Sequence, residues 1–595
     1  MRTSFLQDLY LQKPITFAVL ICALSVLPWI GLGDFATKGE PREAAVAVSM
    51  LTTGNVVLPA AYADEFAYKP PLAHWLMAAF SLPQGYVSEF TARLPSALAL
   101  IVLIGAVVVF FGKRTKKFHE TFVTACILMT CVELHRAGMT ARVDMLLTLF
   151  IVTGLFGLYR WEEIRNLKGL PIGVSLLLGL ATLTKGPVGI VLPLFVFGIY
   201  LFLLGKYPWR VILRSLFYIG LSAVFLPTLW YLEAWKQGGQ DFLNLVTAEN
   251  FGRFFRLATP AIRYELGHEE GFWYNFATLA AGFVPWTILL LFSLFGLKRP
   301  TLNGWRSSLR PTEWLVRLRR MDPVRLFSLV AAVSILVFYA IPSAKRSVYL
   351  MPAYPFIAFF LSQYVLNIVD RQAKALRAFA FLVTGVGTLS LLLAWLTATR
   401  LIDPVILAAR FTDSDVALCA LSAITDLLTT PDAVTFLILA LLTTTLILTC
   451  CSFLRQIHIK TFYAVIALLF SLNLFIDGLV MRGERHSASI RPFAEEIMRT
   501  YPLQHGNVYV MNDLRHYPNL YGLNFYLGNI FLPFESRHTP TLPDEGYLLS
   551  GENDLKTISD RYAGTHTFLP LVTTSHTHKE IRQKITLSRF CHRTP

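Results

Sequence analysis

Five polar clusters interrupt an otherwise apolar chain, and each holds groups able to take a proton or grip an anion. Residues 34–93 carry Asp34, Lys38, Glu40, Arg42, Glu43, Asp64, Glu65, Lys69, His74 and Arg93. Glu133, His135, Arg136, Arg142 and Asp144 follow in a short stretch, and LTKGPVG holds Lys185. Glu249, Arg253, Arg256 and GHEEGFWYN with His268 make the fourth cluster, and PSAKRSVYLMP, with Lys345 and Arg346, the fifth. A carboxylate can act as general base toward a hydroxyl. Converging Lys and Arg side chains neutralise phosphate, Arg through its fork of donors and Lys as a point charge.

The elements that must position these groups are membrane helices. Of 595 residues, 54% are hydrophobic and 15% charged, where soluble domains carry roughly 25% charged residues. Residues 14–33 and 94–112 hold no charge and are long enough to cross a bilayer. Thirteen spans are predicted, near 14–33, 94–112, 118–134, 145–159, 170–184, 187–205, 212–232, 273–297, 326–342, 348–367, 378–397, 433–454 and 461–479. The first is read as a retained helix, since it has no clear small-residue cleavage site. The net charge of +15 lies mostly in short loops between apolar runs, which sets topology and argues against nucleic acid as a partner. The seven cysteines match no zinc, redox or disulfide pattern.

Basic loops on alternate sides put the N-terminus in the cytoplasm, and an odd number of spans puts the tail on the outer side. The expected division is a membrane domain over 1–480 and a periplasmic domain over 481–595, in a bacterial inner membrane. The tail carries strand-like NVYVMND and LNFYLGNIFLPF and eight of the thirteen histidines, so a small α/β domain is expected. His576 and His578 lack partner ligands at matching spacing and read as part of a surface loop. The fold class is therefore a polytopic α-helical membrane protein with a small C-terminal α/β domain.

All five polar clusters fall on the outer side, and four hold basic residues against the positive-inside trend. Ionisable groups at the membrane edge are costly unless they pair or bind something. One lysine there is ordinarily a snorkelling anchor; five clusters on one face point to a lipid-linked phosphate. The 42–51 and 72–80 stretches have helical apolar patterns and are expected to lie on the membrane surface. Pro70 and Pro71 fix the start of the second and hold Lys69 beside it. His74 falls on the apolar side and reads as structural; Trp273 and Trp286 read as interfacial belt residues.

GEPREAAVAVSMLTTGNVVLP, YKPPLAHWLMAAF, EFTARLPSAL, TKGPVGIVLP and SAKRSVYLMPAYP resemble the lipid-carrier-dependent glycosyltransferases of the GT-C superfamily. The nearest groups are the bacterial protein mannosyltransferase-like enzymes and the lipid A aminoarabinose transferases, over roughly residues 30–360. The resemblance implies transfer of one sugar, usually with inversion, from a polyprenyl-phosphate donor to a lipid A, glycan or protein acceptor at the outer face. It implies a carboxylate base in the first outer loop and basic residues on the departing lipid phosphate. Relatives open that loop's helix with Asp-Glu, where this chain has Gly39-Glu40. Glu40 is then the first candidate base, ahead of Asp34, with Glu43 a third. Asp144 matches an acidic position that orients a base or binds acceptor, the alternative being a buried pair with Arg142. Lys69 and Lys345 lead the phosphate-binding candidates, with Arg42, Lys185, Arg253, Arg256 and Arg346. His268 matches a histidine of relatives, and a divalent metal is an open alternative, although Tyr68 stands where the aminoarabinose transferases have a metal-linked glutamate.

Two other classes share these features. A flippase for lipid-linked glycans calls for mid-bilayer polar residues, broken helices or repeats, and the sequence has no clear repeat. A glycan polymerase or ligase would act on a pyrophosphate-linked oligosaccharide, whereas the leading reading takes a monophosphate donor.

Overall fold

The computed structural model describes residues 12–593 except 36, 38, 64, 68, 250–269, 296–315, 343, 511–519, 535–542, 576 and 578–582. Arg253, Arg256, His268, Tyr68, His576 and His578 therefore lie outside the described residues. The helices that cover the expected spans are α1 (Pro14–Val26), α4 (Glu89–Thr115), α5 (Phe118–Thr130), α7 (Val143–Arg165), α8 (Ile172–Lys185), α9 (Val188–Leu204), α10 (Trp209–Thr247), α11 (Tyr274–Gly282), α12 (Trp286–Leu294), α13 (Pro323–Ala340), α14 (Tyr354–Arg371), α15 (Ala373–Ala398), α17 (Ala433–Leu454) and α18 (His458–Phe475). Between them stand α2 (Gly39–Thr53), α3 (Leu72–Ser81), α6 (Val132–Gly138) and α16 (Asp415–Thr429).

All thirteen expected spans fall on helices, but the count is not reproduced. Among the described residues eight helices are long and apolar enough to cross a membrane, or nine if α11 and α12, bent by 103°, form one span. α1, α8 and α9 are apolar but shorter. The 273–297 stretch, expected as one span, contains this bent pair. Trp286 at the bend is fully buried and donates from its indole to Thr130 Oγ1 at 2.9 Å, so it is a core residue and not a belt residue. Trp273 is exposed.

Local sequence fixes the starts and stops that matter for the site. Ser88 and Thr91 form a reciprocal capping box at the start of α4, satisfying two of the helix's unpaired N–H groups. α8 ends at Lys185 because Gly186 takes φ +92° and Pro187 follows. α9 then returns so closely that a Cβ on Gly189 would stand 2.4 Å from the α8 backbone. Lys185 is therefore carried on the tip of a tight helical hairpin.

The tail contains α19 (Met481–Ser487), α20 (Arg491–Thr500), α21 (Tyr521–Tyr526), α22 (Glu552–Arg561) and a five-stranded sheet. Its strands are β3 (Val508–Val510), β4 (Leu532–Pro533), β5 (Glu545–Gly551), β6 (His566–Thr573) and β7 (Ile585–His592), in the order β4-β3-β5-β7-β6. β3 pairs in parallel with β4 and β5, and β7 runs antiparallel to β5 and β6. β3 lies within NVYVMND as expected. The 523–534 stretch instead forms most of α21, a turn and the two-residue β4. Gly528 and Asn529 turn with positive φ, and Asn524 holds the turn by donating to Asn529 Oδ1 at 2.5 Å.

A small hairpin of β1 (Ala60–Tyr62) and β2 (Glu65–Phe66) in the first loop reaches into this tail. Tyr62 is buried against Tyr521 and Phe531, with ring centroids 5.0 and 5.8 Å away, and its hydroxyl accepts from the Leu520 amide at 3.1 Å. Most residues of α2 are buried, and α21 packs on it. Tyr62→Ala is expected to cost about 3–5 kcal/mol by analogy with buried Phe→Ala changes. Tyr62→Phe should cost about 1–3 kcal/mol for the unpaired Leu520 amide. Thermal unfolding of the full chain in detergent, with protease cleavage in 481–595 as the local readout, checks both values.

Candidate active site

α2 carries two buried carboxylates with different surroundings. Glu40 Oε1 accepts from Arg93 Nε at 2.8 Å and from the Ala141 amide at 3.1 Å. Arg93 is fully buried and also donates to the carbonyls of Ile30, Gly33 and Asp34 at 2.9, 3.0 and 3.3 Å. Burial would push the Glu40 carboxyl up, but the Arg93 and Arg485 charges and the Ala141 amide hold it below its usual value. Glu40 thus ties the loop after α1, α2, α4 and the turn before α7 into one body.

Glu43 lies three residues further on, just short of one helical turn. Its Oε1 accepts from Arg42 Nη2 at 3.0 Å and from Lys69 Nζ, and its Oε2 lies 2.9 Å from His74 Nε2. His74 is buried, as its apolar placement suggested, but its ring is spent on a carboxylate. Burial opposes charge on Glu43, yet Lys69, Arg42 and His74 outweigh it and hold the carboxyl well below its usual range. Lys69 goes the other way for its own class. Burial, helped by Arg42, pulls its ammonium down to about 8 despite the attraction of Glu43 and Asp144. A carboxylate has roughly four lone-pair positions, so one on Oε2 is left for an incoming O–H.

The third carboxylate, Asp144, stands in the first turn of α7 and accepts from Lys185 Nζ on the α8–α9 hairpin. The Lys185 ammonium also lies 4.5 Å from the Tyr349 ring centre. Arg142 Nε is 3.6 Å from Asp144 Oδ2, so the expected Arg142 pair exists but is the looser of the two. The influence of Asp144 on Lys69 puts the Glu43 and Asp144 groups in one electrostatic site.

The other candidates stand apart from this group. Asp34 accepts from Ser489 Oγ at 2.7 Å and Arg491 Nη1 at 3.3 Å, so its side chain ties the first loop to the tail. Lys345 is buried and donates to the Glu270 carbonyl at 2.9 Å. Arg346 makes no ion pair among the described residues. Its neighbour Ser347 bonds Glu133 Oε1 at 2.9 Å, and Arg136 bonds the same oxygen at 2.9 Å. Among the described residues no three His, Cys, Asp or Glu side chains converge as a metal site. Sequence reasoning missed the Glu40–Arg93 tie and the contact of His74 with Glu43. The four-residue spacing of Gly39 and Glu43, which puts position 43 on the same helical face one turn later, was the available signal.

This fold and site define a class, the multi-pass membrane proteins with a cluster of paired carboxylates and cations. The comparisons narrow it. A family model described as dolichyl-phosphate-mannose-protein mannosyltransferase matches residues 68–231. The undecaprenyl phosphate-alpha-4-amino-4-deoxy-L-arabinose arabinosyl transferase of Erwinia tasmaniensis is 23% identical over 64% of this chain and 65% of its own length. An uncharacterized protein of Aquifex aeolicus is 25% identical over 63% of this chain and 69% of its own. The chain therefore aligns with about two thirds of the length of these curated relatives. The solved structure of ArnT from Cupriavidus metallidurans, bound to undecaprenyl phosphate, superposes with a TM-score of 0.65 at 15% identity, covering 96% of this chain and 97% of that one. The chain thus has the fold of this solved ArnT structure and is similar in sequence to the arabinosyl transferases and, over residues 68–231, to the mannosyltransferase family model.

The two α2 carboxylates should separate by mutation. Glu40→Ala strands the buried Arg93 charge and should cost about 3–5 kcal/mol. Glu43→Gln keeps the side-chain shape, and its cationic partners Arg42 and Lys69 keep 22% and 15% exposure, so it should cost less than Glu40→Ala. Thermal unfolding of both variants in detergent checks the contrast.

Proposed function

We propose that this chain transfers one sugar from a polyprenyl-phosphate carrier to a lipid, glycan or protein acceptor at the outer face of a bacterial inner membrane. The observation that carries the reading is the pairing of Glu43 with Lys69 and of Asp144 with Lys185, brought by separate outer loops into one site. The ArnT structure bound to undecaprenyl phosphate and the names of the curated relatives support the donor class.

In the proposed reaction the acceptor oxygen attacks the anomeric carbon and the bond from that carbon to the phosphate oxygen breaks. The bond pair leaves with the phosphate, the acceptor proton passes to a carboxylate, and the anomeric centre inverts. Glu43 takes the proton, since its free lone pair and its partners Lys69 and Arg42, which are partly exposed, leave it reachable. Lys69, with Arg42 and Lys185, stabilises charge that grows on the leaving phosphate; preorganised cations act most strongly there. Lys345 and Arg346, which stand apart from this group, and Arg253 and Arg256 are further candidates for binding the carrier phosphate. Asp144 holds Lys185 and borders the acceptor. Glu40 and Asp34 hold the framework, a metal has no assigned role, and residues 481–595 form a separate outer domain.

Purified protein with polyprenyl-monophosphate sugars should release free polyprenyl phosphate. Glu43→Gln and Lys69→Ala should each lower kcat on the order of a hundredfold while the protein still inserts. Full activity in either variant would reject the assigned roles. The charged form of Lys69 is the active one and its ammonium is pulled down to about 8, so kcat/KM should fall as pH rises through about 8. Lys69→Arg should remove that alkaline limb.

The proposed orientation places the N-terminus in the cytoplasm. Cys591 in β7 and Cys451 near the end of α17 are both exposed. A membrane-impermeant maleimide added outside intact spheroplasts should label Cys591 and spare Cys451; the reverse pattern would invert the topology.

A further inference from the structure

Arg142 is a cation beyond what its local carboxylate requires. Asp144 already has a close hydrogen-bonded partner in Lys185, and Arg142 Nε reaches it only at 3.6 Å. The Arg142 Nη1 and Nη2 groups have no acceptor among the described residues, and its side chain keeps 29% exposure. Two cations therefore face one carboxylate at the start of α7. A surplus charge held beside a membrane is costly unless an anion completes it.

Its place in the fold says where that anion would come from. The guanidinium lies against Gly39, where an added Cβ would meet Arg142 Cζ at 3.5 Å. Gly39 is one helical turn, about 6 Å, from Glu43 on the same side of α2. Arg142 thus stands between the Asp144–Lys185 pair and the Glu43–Lys69 pair, with its two terminal nitrogens uncommitted. The fork geometry of a guanidinium suits two oxygens of one phosphate.

We infer that Arg142 is a binding residue for the phosphate that departs on the lipid carrier, a role that rests on the transferase reading above. As the anomeric carbon–oxygen bond breaks, the phosphodiester monoanion becomes a phosphate monoester that carries the bond pair. The acceptor proton goes to Glu43, so no further reactant is required. A cation aimed at that phosphate gains attraction as the reaction proceeds. It should therefore act on kcat and on product affinity more than on donor KM.

The test uses the full-length protein in nanodiscs, with polyprenyl phosphate as the binding probe and a polyprenyl-monophosphate sugar as donor. Arg142→Ala should weaken polyprenyl phosphate binding on the order of tenfold to a hundredfold and lower kcat comparably, with a smaller change in donor KM. Arg142→Lys should recover part of both. Arg142→Gln, together with the unfolding temperature of each variant, separates ligand loss from misfolding. Wild-type affinity and kcat in a folded Arg142→Ala or Arg142→Gln protein would overturn the inference while leaving the transferase reading intact. So would a fall in unfolding temperature with affinity unchanged, which marks a purely structural partner of Asp144. Wild-type protein that neither binds polyprenyl phosphate nor turns over the donor would reject the transferase reading itself.

Discussion

The carboxylate-bearing end of the helices is organised around one buried ion pair, Glu40 with Arg93. Neither partner has appreciable contact with solvent, and a buried pair is costly to desolvate unless its remaining donors and acceptors are also satisfied. Here they are largely satisfied by backbone. Arg93 caps three carbonyls that end the α1 segment, and Glu40 takes the amide of Ala141. The pair therefore fixes where α2 starts relative to α4 and to the turn that opens α7. Gly39, Glu43, Arg142 and Asp144 hang from those same elements, so their mutual placement follows from it. Apolar residues of similar volume could fill the space but would leave three carbonyls and an amide without partners. Orientation is what the ionic solution supplies.

The tail completes this arrangement from the other side. α2 has one side toward Lys69 and His74 and another under α21, where Phe35 meets Phe525 edge-on at 4.9 Å. Asn529 Nδ2 donates to the carbonyls of Ala45 and Ala60 at 3.3 Å each. Tyr526 accepts from the Phe35 amide at 3.0 Å and donates to Glu89 at 2.8 Å. These contacts remove from water a helix that its amphipathic pattern alone would leave on a membrane surface. They also explain why Asp34, which sequence reasoning weighed as a base, is spent on Ser489 and Arg491.

Much of the fold was legible because hydrophobic periodicity and length are local properties. The apolar runs became helices, α2 and α3 cover the amphipathic stretches, and LTKGPVG formed the hairpin that carries Lys185. What was not legible depends on partners far apart in sequence. Glu40 and Arg93 are 53 residues apart, and Tyr62 and Leu520 are 458 apart; no spacing rule joins either pair. The span expected over 273–297 is bent between Gly282 and Trp286, a break that periodicity alone does not mark, and Trp286 beyond it bonds Thr130 in the core. Length alone does not confirm the count of thirteen spans among the described residues. α1, α8 and α9 are too short to qualify by length alone, and packing among neighbours lets such helices stand where an isolated one would not.

The carboxylates also say which part of the proposed chemistry must carry the rate. Glu43 is ionised and heavily compensated, so it is a weak base and draws little proton from a hydroxyl in the ground state. Such a group works when the attacking oxygen becomes acidic late, as its bond to an electron-poor anomeric carbon forms. That sequence demands a leaving group that departs early, and a phosphate does so when its growing charge meets fixed cations. The same lysine and arginine that weaken Glu43 as a base would then strengthen the departure that makes a strong base unnecessary. A base at position 43 fits this logic: in the proposed reaction Glu43 stands against Lys69, and Gly39 leaves room for Arg142, so that cations would flank the breaking bond.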